Sequence, residues 1–430
     1  MVQKSVVNRI LEIHPAIRSR FPQIEKDVYG NRRVYLNSGA GTLMVDSAVR
    51  ALKSAAQSSN PQPGDVDPSE RATDQLHWSV RECVSDFVHG WKPEEISFHA
   101  STTQALFNLA YSLRSILTGE NNLIVTDLDH MANISPWEDI WGLEHGCQIR
   151  RARVDGEGCI DVDHFLSLVD EKTGLVAATM ASNGFGSLVP LKELIPLIRE
   201  KSPACLICVD AVHHALHGPI DVREIGCDFL AFSGYKVFGP MVGVLWGREH
   251  LLDQLTPYRV ETNKNRLPYK FEQGTLNNAI LASLNGALEY LLWLADEVGT
   301  GSGPQVGSRR ESFSFVMDTI GQYEGQLSQV ILEGFQGFPP DSFRCYGITD
   351  PRRVLERDPT FSFEMSGKSP REIKKYLWEE YGFQIADGNH YSAAVHRHLG
   401  RDSICRVSFA HYDMLQDAQI FVEALESLLH

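Results

Sequence analysis

An α/β protein, with a mostly parallel central sheet and a smaller C-terminal α+β domain, is what the sequence predicts. Three observations carry that expectation. Apolar runs of strand length recur at 122–126, 175–181, 204–209 and 227–232, and each breaks at a polar or glycine-containing turn. Segments of helical periodicity lie before, between and after them. The chain is 430 residues long, more than one core usually serves, and Gly299–Ser308 has four glycines, one proline and no apolar cluster, as a linker would. The expected organisation is an N-terminal helical segment (1–30) packing on the small domain, a large domain (31–298) and a small C-terminal domain (309–430).

Residues 3–20 place Val6, Val7, Ile10, Leu11 and Ile13 at roughly helical spacing and predict an amphipathic helix. Arg33–Thr42 reads as a short strand running into a glycine-rich turn, followed by a helix from Val45 to Ala56. Residues 58–74, rich in Ser, Asn, Pro, Gly and Asp, predict a loop. Ile96-Ser97-Phe98 is strand-like and leads through Ala100-Ser101-Thr102-Thr103 into a helix with Ala105, Leu106, Leu109, Ala110 and Leu113 on one face. Small hydroxyl residues at a helix start either cap the helix or leave N–H groups and the positive dipole end for a phosphate.

The strand Asn122–Thr126 ends in Asp127-Leu128-Asp129-His130-Met131-Ala132-Asn133. The strand Leu175–Ala181 ends in Ser182-Asn183-Gly184-Phe185-Gly186-Ser187, which lacks the third glycine of a dinucleotide loop and does not open a helix, so a nicotinamide cofactor is discounted. The run Ala204–Val209 ends in Asp210, a carboxylate at the strand edge where open α/β sheets bind ligands and where it can hold a pyridine nitrogen protonated. Cys227–Phe232 breaks at Ser233-Gly234 just before Lys236, which Tyr235 and Phe238 flank. Desolvation in such surroundings lowers an amine's pKa and makes it available for a Schiff base, whereas an ordinary loop lysine stays solvated. His213 and His217 share a helix face, but a zinc site needs a third ligand that the sequence does not nominate, and no metal is expected.

Lys plus Arg total 40 against 55 for Asp plus Glu, a formal charge of −15 that argues against nucleic acid or an anionic membrane as partner. The eight cysteines are scattered without the density of a disulfide scaffold, and Cys205-x-x-Cys208 lies in an apolar run, so a reduced, cytoplasmic protein is expected. Ile10-Leu11-Glu12-Ile13 is too short for a signal peptide, and no apolar run approaches the roughly 18 residues of a membrane span.

Three segments carry a family resemblance. Val209–His213 (V-D-A-V-H), Asp221–Phe229 (D-x-x-x-x-G-x-D-F) and Ser233–Pro240 (S-x-Y-K-x-F-G-P) together resemble the aminotransferase class V family of pyridoxal phosphate enzymes, in particular its cysteine desulfurase-like branch. The resemblance implies a fold type I pyridoxal phosphate-dependent transferase, with Lys236 as the Schiff-base lysine and Asp210 on the pyridine nitrogen. It also implies Thr102, Thr103 and Ser233 at the cofactor, and His130 stacked on its ring, in a segment similar to E-H-H-A-N with Met131 replacing the second histidine. Asn183 and His213 fall where relatives meet the ring hydroxyl, and His214 is left as structural. Phe271–Asn277 resembles F-E-x-G-T, whose threonine, here Thr275, reaches the phosphate of the neighbouring subunit in a homodimer. The Arg33–Thr42 segment, with Asn37, is expected on the substrate side.

The C-terminal part predicts a strand at Thr360–Glu364, a helix at Pro370–Tyr381, a strand at Cys405–Phe409 and a helix at 415–429. Arg406 aligns with the family arginine that clamps the substrate α-carboxylate, a task that suits a forked guanidinium. In the desulfurases most like this chain, the loop that supplies the persulfide cysteine reads G-H-H-C-A. Here it is Gly388-Asn389-His390-Tyr391-Ser392, which puts Tyr391 at the cysteine position and makes Asn389 and Tyr391 candidate substrate contacts. Strand alternation points Cys405 away from the face of Arg406. The loop is similar to that of cysteine-less fungal members of the branch, a decarboxylative aldol enzyme of the ustiloxin type and Mannich-type cyclases of the loline type. The reading is therefore an enzyme that forms an aldimine with a small amino acid and generates a Cα-carbanion or enamine for carbon–carbon bond formation, with an aldehyde or imine as co-substrate. A class V aminotransferase or epimerase, a cysteine desulfurase and a non-catalytic cofactor-binding scaffold are the alternatives.

Overall fold

The computed structural model describes residues 2–58, 61–299, 307–392, 397 and 399–429. After a two-residue strand β1 (Val34–Tyr35), the large domain's sheet is built from β2 (Ile96–His99), β3 (Asn122–Thr126), β4 (Gln148–Ala152), β5 (Thr173–Thr179), β6 (Leu206–Asp210), β7 (Phe229–Ser233) and β8 (Gly243–Gly247). Their spatial order is β2-β8-β7-β6-β5-β3-β4, parallel throughout except at β8. Every residue of β3, β5, β6, β7 and β8 is buried. That burial explains why these strands read as continuous apolar runs rather than as alternating ones: a parallel sheet is covered on both faces. β4 escapes the same reading because it is an edge strand and carries Gln148, Arg150 and Arg151, the two arginines being charges of the kind that keep an edge from pairing further.

Parallel register brings the carboxyl ends of the inner strands to one rim. Thr179 lies opposite Asp210, and Asp210 opposite Ala231, so the turns after β5, β6 and β7 open side by side. The small domain supplies an antiparallel sheet of order β12-β13-β10-β9, from β9 (Phe343–Tyr346), β10 (Thr360–Met365), β12 (Ala386–Gly388) and β13 (Ile404–Ser408). Arg406 sits on β13, opposite Ser362 on one side and Ala386 on the other. β11 (Phe383–Gln384) pairs with β1, and Asn37 bridges to Ser408, which fixes the segment around residue 37 to the small domain.

The first helix, Val2–Ser19, touches both domains. His14 Nε2 lies 3.2 Å from the His411 carbonyl oxygen, Arg18 donates to Tyr412 O at 2.9 Å, and Arg9 Nε donates to Glu297 O at 3.2 Å. The expected loop at 58–74 ends sooner than its composition suggests, because a helix runs from Pro68 to Phe87. Asp67 caps it, Glu70 completes the reciprocal capping box, and Pro68 takes the first-turn position where its missing N–H costs nothing. Most of the expected linker, 300–306, lies outside the described residues. The helices Asn278–Gly299 and Arg309–Gln336 flank it.

The helix Pro68–Phe87 also sends Arg81, fully buried, against Glu272. The guanidinium meets both carboxylate oxygens at 2.5 and 2.7 Å, and Phe98 N donates to the same carboxylate at 3.1 Å. Removing one member of such a pair strands a buried charge, so Glu272→Ala should lower stability by about 3–5 kcal/mol. Urea unfolding reads this as a lower midpoint at unchanged slope. Replacing both partners with apolar residues, Arg81→Met with Glu272→Leu, should cost less than the single change, and an equal or larger loss would show that the pair's charge is not what matters.

Candidate active site

Five strand ends and one small-domain loop surround a cavity of about 620 Å³. Ser101, Thr102 and Thr103 come from the turn after β2, His130 from that after β3, Asn183 after β5, Asp210, Val212 and His213 from β6 and its turn, and Ser233, Tyr235 and Lys236 from β7 and the short helical turn after it. Residues 386–391 and Arg406 close the opposite wall. Eleven of the thirteen residues expected at the site therefore meet here. The other two do not line the cavity. Thr275 is exposed, and its hydroxyl accepts a 3.2 Å bond from Gln62 Nε2. Asn37 is half-buried, with its Oδ1 lacking any partner.

Lys236 is 4 % exposed, and its ammonium donates to the Gly39 carbonyl oxygen. Burial, helped by the charge of Arg406 and opposed by Asp210, lowers its pKa to about 7. Asp210, also 4 % exposed, accepts a 2.8 Å bond from Val212 N; burial pushes its pKa up to about 6, while that bond and Lys236 pull the other way. His130 Nδ1 accepts from Ala132 N at 3.0 Å, which leaves the proton on Nε2. Burial, with Lys236 and Arg406 adding, lowers its pKa to about 4, so the ring is neutral. Arg406 is 2 % exposed and donates to Asn183 O at 2.8 Å, and among the described residues it has no carboxylate partner. A buried guanidinium without a counter-ion is costly unless an anion arrives. Arg406 is thus built to receive one.

The Thr102 hydroxyl bonds to Phe232 O at 2.8 Å and to Ser233 Oγ at 2.6 Å, contacts that tie the helix Thr102–Ser112 to the end of β7. The Asn183 carboxamide donates from Nδ2 to His390 O at 2.8 Å and accepts from Ser392 Oγ at 2.6 Å, holding the loop while one amide hydrogen stays uncommitted. His214 bonds Asp358 at 3.1 Å, in keeping with a structural role.

The reading of the sequence missed Gly39, Tyr235 and Asp129. Gly39 lies in the glycine-rich turn already noted, and Tyr235 is Lys236's neighbour in the motif, so adjacency was the available signal. Asp129, fully buried beneath His130, takes bonds from Thr126 Oγ1 and Asn133 Nδ2; burial and the charge of Asp210 push its pKa up to about 8.

The cavity fits pyridoxal phosphate. The helix Thr102–Ser112 begins at its rim, a start suited to a phosphate, and Gly243 keeps that start close: a Cβ there would lie 2.2 Å from Ser101 C and 2.4 Å from Thr102 N. Asp210 can face a ring nitrogen, and both ring nitrogens of buried His213 lack partners, as a group awaiting a ligand oxygen would. Fold and cavity together define the class, a fold type I enzyme that depends on pyridoxal phosphate.

The aminotransferase class V family model matches residues 34–298 and 296–421, and the chain belongs to that family, whose members are pyridoxal phosphate-dependent enzymes. A cysteine desulfurase from Pectobacterium atrosepticum is 29 % identical over 428 residues, covering 96 % of this chain and 97 % of the relative. One from Yersinia pestis is 28 % identical over 430 residues, with the same coverage. Among solved structures, the cysteine desulfurase of Thermococcus onnurineus shares the fold at a TM-score of 0.82 and 23 % identity, covering 96 % of this chain and 98 % of that one. An Escherichia coli cysteine desulfurase does so at 0.78 and 24 %, covering 97 % and 98 %.

The state of Lys236 yields a direct test. The rate at which apoprotein captures pyridoxal phosphate covalently should rise with pH around a midpoint near 7, because the neutral amine attacks and burial makes it available there. Stopped-flow absorbance measures this, and borohydride reduction with peptide mapping should place the label on Lys236 and nowhere in Lys236→Ala. A midpoint near the ordinary lysine value, or a label elsewhere, would contradict the assignment.

Proposed function

We propose that the enzyme joins a small amino acid to an aldehyde or imine by forming a carbon–carbon bond, in a decarboxylative aldol or Mannich-type reaction. The observation that carries this reading is Tyr391. Its ring packs 5.4 Å from that of His130 at the mouth of the cavity, at the loop position to which the sequence resemblance assigns the cysteine of desulfurases. None of the eight cysteines lines the cavity. Burial raises the pKa of Cys405 and of each of the other seven thiols, which suits packing rather than nucleophilic sulfur.

The loop is held in an unusual shape. His390 and Tyr391 both have left-handed backbone, with φ of 53° and 56°, which costs of order 1–3 kcal/mol each and persists only where surroundings over-determine it. Asn183 supplies two of the constraints, and Met131 N donating to Tyr391 O at 3.0 Å supplies a third. The result is an aromatic side chain, 72 % exposed, on the rim above His130, where it flanks the space for a second substrate.

The roles follow from position. Arg406 binds the α-carboxylate of the amino acid, Asp210 holds the proton on the cofactor's ring nitrogen, and Lys236 moves a proton at the α-carbon. Bound pyridoxal phosphate supplies an electron sink for the pair left when a substrate bond breaks. Aspartate is the first candidate: loss of its β-carboxylate as carbon dioxide leaves an electron pair on the β-carbon, which attacks the carbonyl carbon of the aldehyde while the carbonyl oxygen takes up a proton. A transaminase or epimerase is the second reading, favoured by a buried lysine whose pKa near 7 suits proton transfer at the α-carbon.

The homodimer reading rests on Thr275, which is exposed, lies outside its own chain's cavity and follows Gly274 at φ +110°, as a loop serving a neighbour's site would. A cytoplasmic setting fits eight free cysteines. No helix among the described residues is long and apolar enough to cross a membrane.

A panel of amino acids, each with and without an aldehyde, tests the reaction. Aspartate with an aldehyde should yield carbon dioxide and a product whose mass is the sum of the two less carbon dioxide. Cysteine with a reductant should yield no sulfide. Keto acid formed with an amino acceptor, or loss of optical activity without a new product, would replace this reading with the second one, and robust sulfide release would remove both.

A further inference from the structure

In the cavity wall and just behind it, three ring nitrogens and one carboxyl oxygen are buried without partners: both nitrogens of His213, which lines the cavity, Nε2 of His217 and Oε1 of Glu324. Glu324 Oε2 lies 2.7 Å from His217 Nδ1, and each of the two side chains is 1 % exposed. The rings of His213 and His217 are 5.3 Å apart, tilted by 58°. Glu324 belongs to the helix Arg309–Gln336, whereas both histidines follow β6, so the bond joins the small domain's long helix to the turn that carries Asp210. His214, Asp358, His411, Asp413, Lys236, Tyr323 and Tyr412 are the other titratable groups whose charge or backbone acts on the pair.

An ionised carboxylate with one bare buried oxygen is expensive, and so is a buried imidazolium. Burial pushes Glu324 well above the ordinary carboxylate value, with the backbone of His411 pulling the other way, and lowers the His217 pKa to about 4, so burial favours the neutral form of each. One proton arrangement leaves the fewest orphans. The Glu324 carboxyl O–H then donates to His217 Nδ1, which places the proton of His217 on Nε2. No hydrogen bond joins the two rings in this structure; with centroids 5.3 Å apart, a small approach when the cavity is filled would let a nitrogen of His213 accept that proton, leaving the proton of His213 on its other nitrogen.

We propose that Glu324, acting through His217, is a positioning residue that fixes the tautomer of His213, so that His213 presents an N–H to the ring-hydroxyl oxygen of the cofactor. This rests on the pyridoxal phosphate reading of the cavity and not on the carbon–carbon reading. The test is ¹⁵N NMR of histidine-labelled apoprotein, assigned with His213→Asn and His217→Asn, together with pyridoxal phosphate titration and the pH dependence of the bound cofactor's absorbance. In the parent protein His217 Nδ1 should give an unprotonated signal and Nε2 a protonated one. Glu324→Met should average the tautomers of both histidines and weaken cofactor binding about tenfold, for one lost hydrogen bond. It should also raise the pH midpoint of the absorbance by roughly one unit, because a donor to the deprotonated oxygen is lost. Glu324→Gln should restore all three, since an amide N–H can donate in place of the carboxyl. If Glu324→Met does not fold, His217→Phe should show the same upward shift of the midpoint. Unchanged tautomers and midpoint in a merely less stable Glu324→Met protein would overturn the proposal. So would stoichiometric zinc in purified holoenzyme that is lost in His217→Ala, because His213, His217 and Asp358 each offer a ligand atom within 4.8 Å of the others and would then be ligands. Parent protein that fails to bind pyridoxal phosphate would take the cofactor reading down as well, whereas normal binding with unchanged tautomers would sink this inference alone.

Discussion

Two buried cations facing one cavity set the terms for the rest of this molecule. Lys236 and Arg406 are almost fully enclosed, and of the two carboxylates that line the cavity, Asp387 is engaged by Lys374 at 2.6 Å, leaving Asp210. Charge in a low-dielectric space without compensation cannot persist at full cost. The relief is shared out. Lys236 gives up its proton easily, Asp210 holds its own more tightly than an ordinary aspartate, and Arg406, which cannot lose its charge so readily, awaits an anion. A reactive amine, a carboxyl suited to a ring nitrogen and a carboxylate clamp thus follow from a single electrostatic constraint.

That constraint depends on the two domains meeting in one geometry. Lys236 and Asp210 hang from the rim of the parallel sheet, whereas Arg406 comes from β13 of the small sheet, so their proximity is set by interface contacts rather than by either sheet alone. Asn183 is the hinge-pin of that interface: its backbone oxygen takes Arg406, and its carboxamide takes the 390–392 loop. The segment around Asn37, bridged to Ser408 on one side and following β1 on the other, ties the same edge.

How much of this was legible beforehand follows from what each residue's signal is made of. The inner strands announced themselves because burial on both faces demands unbroken apolar runs, and their terminal Asp210 and Lys236 stand out against that background. β4 gave no such signal, since an edge strand with Arg150 and Arg151 reads like a loop. The start of the helix at Pro68 was masked by the proline, serine and aspartate that its capping box requires, which are also the residues of loops. Glu324 could not have been connected to His217 from sequence, being 107 positions away on a helix whose other acidic residues, Glu311, Asp318 and Glu333, are exposed. Asp358, the third atom near His213 and His217, was equally hidden, because a metal or hydrogen-bond cluster assembled across two domains has no local spacing. Residues that act through the fold's long-range contacts are silent in the chain, whereas those that act from a strand end are not.

The comparison with desulfurases bears on the fold and the cofactor more than on the reaction, since one fold hosts many chemistries and function resides in the site. The elements that would hold pyridoxal phosphate come from the large sheet, where packing leaves little freedom to change: Gly243 has no space for a side chain, and Thr102 is bonded to β7. The rim is different. Residues 389–391 sit on a loop held by a handful of hydrogen bonds at its base, so the side chain at position 391 can vary without disturbing the cradle beneath. A thiol there would put a nucleophile over the cofactor, and a tyrosine puts an aromatic face. The first could take an atom from the bound amino acid, while the second offers a surface against which a partner can be ordered. On the reading proposed above, that difference at one exposed position is what turns the electron pair from a sulfur transfer toward an incoming electrophile.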